Sequence, residues 1–474
     1  MNLLKVLSDE EAQKIHSASV GVLDTIGLKF QSERARRLLE EAGAKVNHET
    51  TLVRFPPSLV EDSIKKASKR IIYGGRNPKY DLALEPGGKT YSRPLTGSEG
   101  YIDLETRQYQ LAKMSDVKDW ARLSDALENI SYCASPYPHD VRADIRDILV
   151  MRVLLENTEK YVEVQPYSGK SLEYMIELAL AVRGSEEELK NRPIFTALTS
   201  SLSPLQYSEY ATDVITLAGR YGIPVSLTPM PVAGGNGLVT IAGTVLLAYA
   251  EALAGGVLAQ VANPGAPLIY RPNPLVLDMS TGVGLQGGAE NAMIAAASVQ
   301  VAREGWGIPT NMFGLVSDSL ITDGQSMIER VFNTLLTALA GVNIVSGAGG
   351  VEHCYTVDPV QLVIDDEIIG MTFRTIRGFA VNDDALGLDV LAQVGPGGNF
   401  LAAKHTLKYF RGEYFRPHVF NRDVRDVWKS KGEKDLNESA RQRARTILKE
   451  HEPAHLSEDI IKEFDSITKR AEQG

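Results

Sequence analysis

Residues 307–353 read GIPTNMFGLVSDS (307–319), LITDGQSMIERVFNTLLTALAG (320–341) and VNIVSGAGGVEH (342–353). This is a strand, a helix and a strand. Gly307 and Pro309 break what precedes them, and the run to Val316 is mostly apolar, as a strand covered on both faces should be. Thr322 and Gln325 have the three-residue spacing of a capping box, which predicts a helix start there. Met327, Ile328, Val331, Leu335 and Leu339 recur at helical spacing, and Gly341 suits the stop. Val342 to Val345 opens the next strand, which runs into Gly347, Gly349 and Gly350.

The same unit recurs outward from this stretch. Strands are expected to begin near Ile130, Tyr161, Pro193, Pro224, Pro267, Ile308 and Asn343, with amphipathic or apolar stretches between most of them. Such alternation predicts parallel strands joined by right-handed crossovers, in an α/β fold that closes as a (β/α)8 TIM barrel. The eighth strand is expected near Phe379–Asn382 or from the N-terminal region. The predicted organisation is an N-terminal helical and small-sheet extension (1–127), the barrel (128–398) and a C-terminal helical tail (399–474).

Flanking elements follow from local signals. Residues 8–43 read as two amphipathic helices broken near Gly27, with Gly43 as a C-cap. Residues 51–104 carry short apolar runs between turn signals and predict a small sheet or cap over the outside or floor of the barrel. Ser115–Ile130 and Val360–Ala380 read as helices, and Trp428 as a packing anchor of the charged tail.

Composition excludes several classes. The net charge is −10 with no long basic run, which argues against nucleic acid. Two cysteines, Cys133 and Cys354, make no disulfide framework and no Cys-x-x-Cys metal pattern. The N-terminus is charged and amphipathic and lacks the apolar core of a signal peptide, so a cytoplasmic protein is expected. The apolar run Leu238–Ala262 contains Glu251 and Gln260, which predicts a buried barrel helix instead of a membrane span.

The strand ends read SPYPHD (135–140), QPYS (165–168), SSLSP (200–204), TPMPVAGGNG (228–237), YRPNP (270–274), GLVSDS (314–319) and GAGGVEH (347–353). In a parallel barrel these runs gather at one mouth, where sites of this fold lie. Any one of them is an ordinary Pro/Gly-rich turn; Arg271, Asp318 and His353 together at three such ends are not. Asp318 is read as a helix cap or loop holder, and His405 as either a packing histidine or part of a lid.

Four stretches carry a family resemblance. They are IHSASVGVLDTIGLKF with LLEEAGAKV and VRFPPSLVEDSIKKA; FGLVSDS followed by DGQ; NIVSGAGGVE; and GPGGNFLAAKHT with RDVRDVWKSKG. In order and spacing the chain resembles the trimethylamine methyltransferase superfamily, in its branch without pyrrolysine, such as glycine betaine methyltransferases. The resemblance implies a (β/α)8 barrel that moves a methyl group from a methylated amine to the Co(I) of a cobalamin-type corrinoid on a separate protein, with no tightly bound cofactor of its own. Members specific for trimethylamine use pyrrolysine; this chain has only standard residues, which implies a quaternary amine. A homo-oligomer is also expected.

That chemistry fits the residues. A quaternary ammonium leaves as a neutral tertiary amine, so no general acid is required, and the chain shows no Ser-His-Asp, Cys-His or HExxH signature. The site must position and desolvate instead. Aromatic faces suit the cation, each worth ~1–2 kcal/mol when desolvated; Tyr137, Tyr167, Tyr270 and Phe313 lie at or near strand ends. Arg271 and His353 are candidates for a betaine carboxylate, and His139, Gln165 and Glu352 complete the expected substrate-binding set. Proline betaine and carnitine share these recognition features. Two other readings are a metal-dependent hydrolase or aldolase barrel, and a non-catalytic betaine-binding barrel. The chain has no Asp-x-His-x-x-Gly cobalamin signature, so the corrinoid is expected to arrive on a partner that docks at the mouth.

Overall fold

The computed structural model describes residues 3–473. Six of the seven expected strands are present, Val162–Val164, Phe195–Thr199, Val225–Leu227, Leu268–Tyr270, Asn311–Phe313 and Ile344–Ala348, and the seventh place, near Ile130, is taken by a single bridge at Cys133. Val162–Val164 through Leu268–Tyr270 pair in parallel, with Thr196 opposite Glu163, Ser226 opposite Leu198 and Tyr270 opposite Leu227. Single bridges continue the ladder from Cys133 to Val162 and from Tyr270 to Thr310.

The eighth strand is Tyr91–Pro94, which pairs in parallel with Ile344–Ala348. On its other side Ser92 O accepts the Ser131 N–H at 3.0 Å, which closes the ring. It precedes the other seven strands. The expected boundary at residue 128 therefore cuts through the barrel, and the Phe379–Asn382 alternative is not a strand. Each strand is followed by a helix, from Met114–Ala126 after the first to Pro359–Arg377 after the last.

The helix after Asn311–Phe313 is Gly324–Leu339, and its cap is Asp323, not Thr322: the Asp323 carboxylate accepts the Ser326 N–H at 2.9 Å. Thr322 Oγ1 instead donates to Asp358 at 2.8 Å. Asp fits the cap better because its acceptor is ionised. Ile241–Ala262 is long and apolar enough to cross a membrane by length and composition, yet it is mostly buried inside the protein. Its Glu251 accepts hydrogen bonds from Ser201 (2.6 Å), Ser203 (2.8 Å) and the Leu205 N–H (2.8 Å), so the buried carboxylate is satisfied.

The flanking segments cover two ends. A hairpin of Ile71–Tyr73 and Leu82–Leu84 plugs the N-terminal end of the barrel, where its side chains cluster with Tyr91, Tyr132, Tyr161, Ile269 and Ile344. Tyr73 stacks on Tyr161 at 3.9 Å. This is a sealed apolar floor. Gly100–Ile102 pairs with Thr356–Val357, after the last barrel strand, so part of the same segment lies at the other end. The tail helices Leu436–Glu450 and Glu458–Gln473 pack on Pro359–Arg377 and Gly169–Arg183. Trp428 is half-buried, its indole N–H bonded to Lys434 O.

Candidate functional site

Period-two alternation decides what enters the barrel. On the strand Leu268–Tyr270, Ile269 joins the floor cluster and Arg271, two residues on, shares its face. Tyr270 points the other way. It is fully buried in the helix layer, with its ring edge-on to Tyr249 at 5.5 Å. The expected pocket role of Tyr270 is thereby corrected: at a site one residue from Arg271, the pleat puts it behind the barrel wall.

Above the floor lies a charged layer. Arg93 reaches Glu163 Oε1 at 3.4 Å and Arg271 reaches the same oxygen at 3.7 Å, with all three side chains at most 3% exposed. Both distances exceed the ~2.7–2.9 Å of a charge-assisted hydrogen bond. Both guanidiniums also lie over the Phe313 ring, at 5.8 and 5.3 Å from its centroid. Glu163 Oε2 accepts from the Tyr132 hydroxyl at 3.2 Å, and that hydroxyl accepts from Asn311 Nδ2 at 3.3 Å.

The layer holds two positive charges and one negative. Burial, then the like charge of Arg93, pull the Arg271 guanidinium down to about 10. Several buried polar atoms here have no hydrogen-bond partner within the protein: Arg93 Nε and Nη2, Arg271 Nε, Glu163 Oε1, Ser226 Oγ and Asn311 Oδ1. Buried polar groups are ordinarily paired, so this cluster of orphans with a surplus positive charge stands out from the rest of the core.

Two residues beyond Glu163, about 6.6 Å further toward the mouth, stands Gln165. Its Oε1 accepts from the Tyr137 hydroxyl at 2.7 Å. Tyr137 and Tyr167 meet edge to face at 5.7 Å, and Asp147 anchors Tyr167 by accepting its N–H at 2.7 Å. Tyr137, Gln165 and Tyr167 thus come together as expected. No hydrogen bond ties His139 to them. Its N–H donates to Ala112 O at 2.7 Å, and its ring Nε2 has no partner in the protein.

At the rim, Glu352, His353 and Cys354 have φ of 53°, 53° and 72°. Three successive non-glycine residues in the left-handed region store strain of ~1–3 kcal/mol each, which the surroundings must enforce. They do so by bonds from Glu352 N–H to Ser319 O (2.7 Å) and from His353 N–H to Ser317 O (3.2 Å). His353 Nδ1 meets Asp318 Oδ1 at 2.9 Å. Asp318 also accepts the N–H groups of Gln286 and Gly287, at 2.8 and 2.9 Å, so it holds a loop as expected and orients His353 as well. Glu352 is bonded to Thr356 at 2.5 Å, and Cys354 Sγ to Gln286 at 3.0 Å. Burial pushes the Cys354 thiol up to about 12, which keeps it protonated.

Gly347 and Gly349 are buried, not part of the rim surface. Their φ values are +105° and +76°, and a Cβ would lie 2.4 Å from Val316 and 2.3 Å from Trp120. Two cavities lie elsewhere. One of about 930 Å³ is lined by Arg416, Arg422, Trp428 and Arg443 in the tail, and one of about 720 Å³ by Lys89, Phe373, Arg411 and Phe415 near the N-terminal ends of the strands. Neither touches the buried arginines.

Residues 1–474 match the family model described as trimethylamine methyltransferase (MTTB). The chain belongs to the trimethylamine methyltransferase family. Among relatives, trimethylamine methyltransferase MttB of Desulfitobacterium hafniense is 33% identical over 468 residues, 98% of this chain and 93% of that protein. MttB of Methanosarcina barkeri is 32% identical over 476 residues, 99% and 96% of the two chains. A glycine betaine methyltransferase of Desulfitobacterium hafniense is 29% identical over 458 residues, 96% and 94%. The solved monomethylamine methyltransferase MtmB of Methanosarcina barkeri has a TM-score of 0.52 at 12% identity, covering 98% of this chain and 92% of that one. The trimethylamine methyltransferase family thus supplies the activity class, a methyltransferase on the TIM-barrel fold.

Within this family member, Arg93, Glu163, Tyr132 and Asn311 belong to the buried polar layer and were not singled out from the sequence. A signal was present: Arg93-Pro94 and Arg271-Pro272 are matching Arg-Pro strand ends, and Glu163 interrupts the otherwise apolar Val162–Val164.

Proposed function

We propose that this methyltransferase takes a methyl group from a zwitterionic quaternary amine, glycine betaine foremost, and passes it to the Co(I) of a corrinoid carried by a separate protein. The observation that carries the reading is the buried charge layer, in which Arg93 and Arg271 share the single carboxylate of Glu163. A ligand carboxylate supplies the missing negative charge and meets the orphan guanidinium N–H groups. A bare ammonium there would meet like charge.

The zwitterion then has a direction. Its carboxylate lies down toward the arginines, and its ammonium outward, by Gln165 and the faces of Tyr137 and Tyr167. Phe313 already carries two guanidiniums on its ring, so it braces the arginines and leaves the ammonium to the tyrosines. A methyl carbon faces the mouth. The departing amine is neutral and needs no proton, which leaves Asp318 and His353 to shape the rim.

The corrinoid is wider than the barrel, so the acceptor must dock from outside. The strand-to-helix loops at the mouth expose Leu202, Met230, Met279, Leu320, Ile321 and Tyr355. Exposed apolar residues on five successive loops of one face suit a transient partner. The likeness to a glycine betaine methyltransferase supports the same substrate; the relatives named for trimethylamine share the fold and family, and trimethylamine carries no carboxylate for the arginines.

The test is calorimetric titration with glycine betaine, proline betaine, carnitine, choline and trimethylamine. At least one carboxylated quaternary amine should bind about tenfold or more tighter than choline and trimethylamine, the worth of a single charged hydrogen bond. Equal or tighter binding of choline or trimethylamine would reject the reading.

A further inference from the structure

Glu163 sits in the barrel wall between two arginines from different strands, yet grips neither of them. Its contacts with Arg93 and Arg271 are 3.4 and 3.7 Å, whereas the other buried pair, Arg330 and Asp365, closes to 2.8 Å and is tied in by further bonds from Gly349 and Gln361. A carboxylate whose task were to lock an arginine would be seated like Asp365. Glu163 instead leaves Oε1 without a hydrogen bond and leaves both arginines with free N–H groups.

We infer that Glu163 is the specificity residue that sets how much negative charge the chamber accepts: with it, one carboxylate and no more. The inference rests on the reading of this chamber as a carboxylate site. Two guanidiniums and one carboxylate sum to +1. In a water-poor interior an unbalanced charge is expensive and a balanced one is not. A monocarboxylate guest brings the layer to zero. A dicarboxylate would leave it at −1, and a guest without a carboxylate at +1. Among the described residues no other carboxylate forms an ion pair with either arginine: Glu251 is bound by Ser201, Ser203 and Leu205, and Asp318 by His353 and the 286–287 backbone. Tyr132, which bonds Glu163 from below, stays a neutral phenol, its ionisation opposed first by burial and then by the Glu163 charge.

Charge counting makes a test that size and shape do not mimic. Binding of acetate and of malonate would be measured calorimetrically to the parent and to Glu163→Gln, Glu163→Asp and Arg93→Gln, with glycine betaine titrated separately. The parent should prefer acetate. Glu163→Gln, with a layer at +2, should move the acetate-to-malonate ratio toward malonate by about tenfold or more; Glu163→Asp should keep the parent ratio. Arg93→Gln, at zero, should weaken both anions. The double variant Arg93→Gln/Glu163→Gln returns the count to +1 and should recover the preference for acetate. That recovery is not expected of a residue needed only for packing, and it decides the matter even if Glu163→Gln alone folds poorly. A ratio that stays at the parent value in Glu163→Gln, or a double variant that binds anions no better than Arg93→Gln, overturns the inference. Acetate bound without glycine betaine would leave the charge count standing and sink the betaine reading; neither bound would sink both.

Discussion

Arg93, on the first barrel strand, and Arg271, on the sixth, converge on one oxygen of Glu163 and on one ring, that of Phe313. They are far apart in sequence and meet because both end a strand as Arg-Pro with the same inward pleat. The floor below them is packed with tyrosines and aliphatics. Under the proposed reading, the arginine layer receives a betaine's carboxylate and the Tyr137 and Tyr167 faces above it receive the ammonium.

Removing either guanidinium should therefore cost affinity before it costs the fold. Arg271→Gln and Arg93→Gln are each expected to weaken glycine betaine by about 10- to 150-fold, the ~1.5–3 kcal/mol of a charged hydrogen bond. Calorimetry measures the affinity and circular dichroism checks the fold; parent-like binding in both variants would contradict the assignment.

The tyrosines act through their faces. Tyr137→Phe keeps the ring and loses only the bond to Gln165, whereas Tyr137→Ala also removes a face worth ~1–2 kcal/mol to a desolvated cation. The alanine variant should bind glycine betaine about 5- to 30-fold more weakly than the phenylalanine variant. Titration of the two side by side reads this directly, and equal affinities would place the ammonium elsewhere.

Tyr270 supplies the contrast. It packs behind the wall against Tyr249, so Tyr270→Phe should leave betaine affinity unchanged, while Tyr270→Ala should cost ~3–5 kcal/mol of stability in urea. An affinity loss in Tyr270→Phe would return this residue to the chamber.

Asp366 gives a pH signature. It is buried on Pro359–Arg377, its Oδ1 accepts the Asn129 N–H at 2.7 Å, and burial pushes its carboxyl up to about 6. The ordinary unfolded value is about 3.9, so the folded state holds this proton more tightly. The stability it contributes is full below about pH 4 and is lost as pH rises through about 6. Asp366→Asn keeps an oxygen for Asn129 and has no charge to desolvate. Relative to the parent it should gain up to ~2–3 kcal/mol between about pH 4.5 and pH 7.5. Urea unfolding at both pH values checks the sign; a difference that does not change with pH contradicts it.

Much of this was legible in the chain. The expected strands showed as short, mostly apolar runs, five of the seven opened by Pro or Ile, because parallel strands are covered on both faces. Tyr91–Pro94 was hidden because half of it is Ser and Arg, whose polar groups serve the chamber, and because a cap segment separates it from the next strand. The loop residues Tyr137, Gln165 and Tyr167 were visible as strand-end polar and aromatic groups, and they do come together. Tyr270 was misplaced because proximity to a strand end says nothing of which way the pleat turns. Glu163 was not singled out because a lone carboxylate in an apolar run carries no signal by itself, and its placement between two arginines shows only in three dimensions.

The central claim is tested by following methyl transfer to a methylamine-type corrinoid protein reduced to Co(I), with glycine betaine and trimethylamine as alternative donors. Formation of methyl-cobalamin from glycine betaine, saturating with the corrinoid protein and lost in Arg271→Gln, is the predicted result. Transfer from trimethylamine with none from any carboxylated quaternary amine would contradict it.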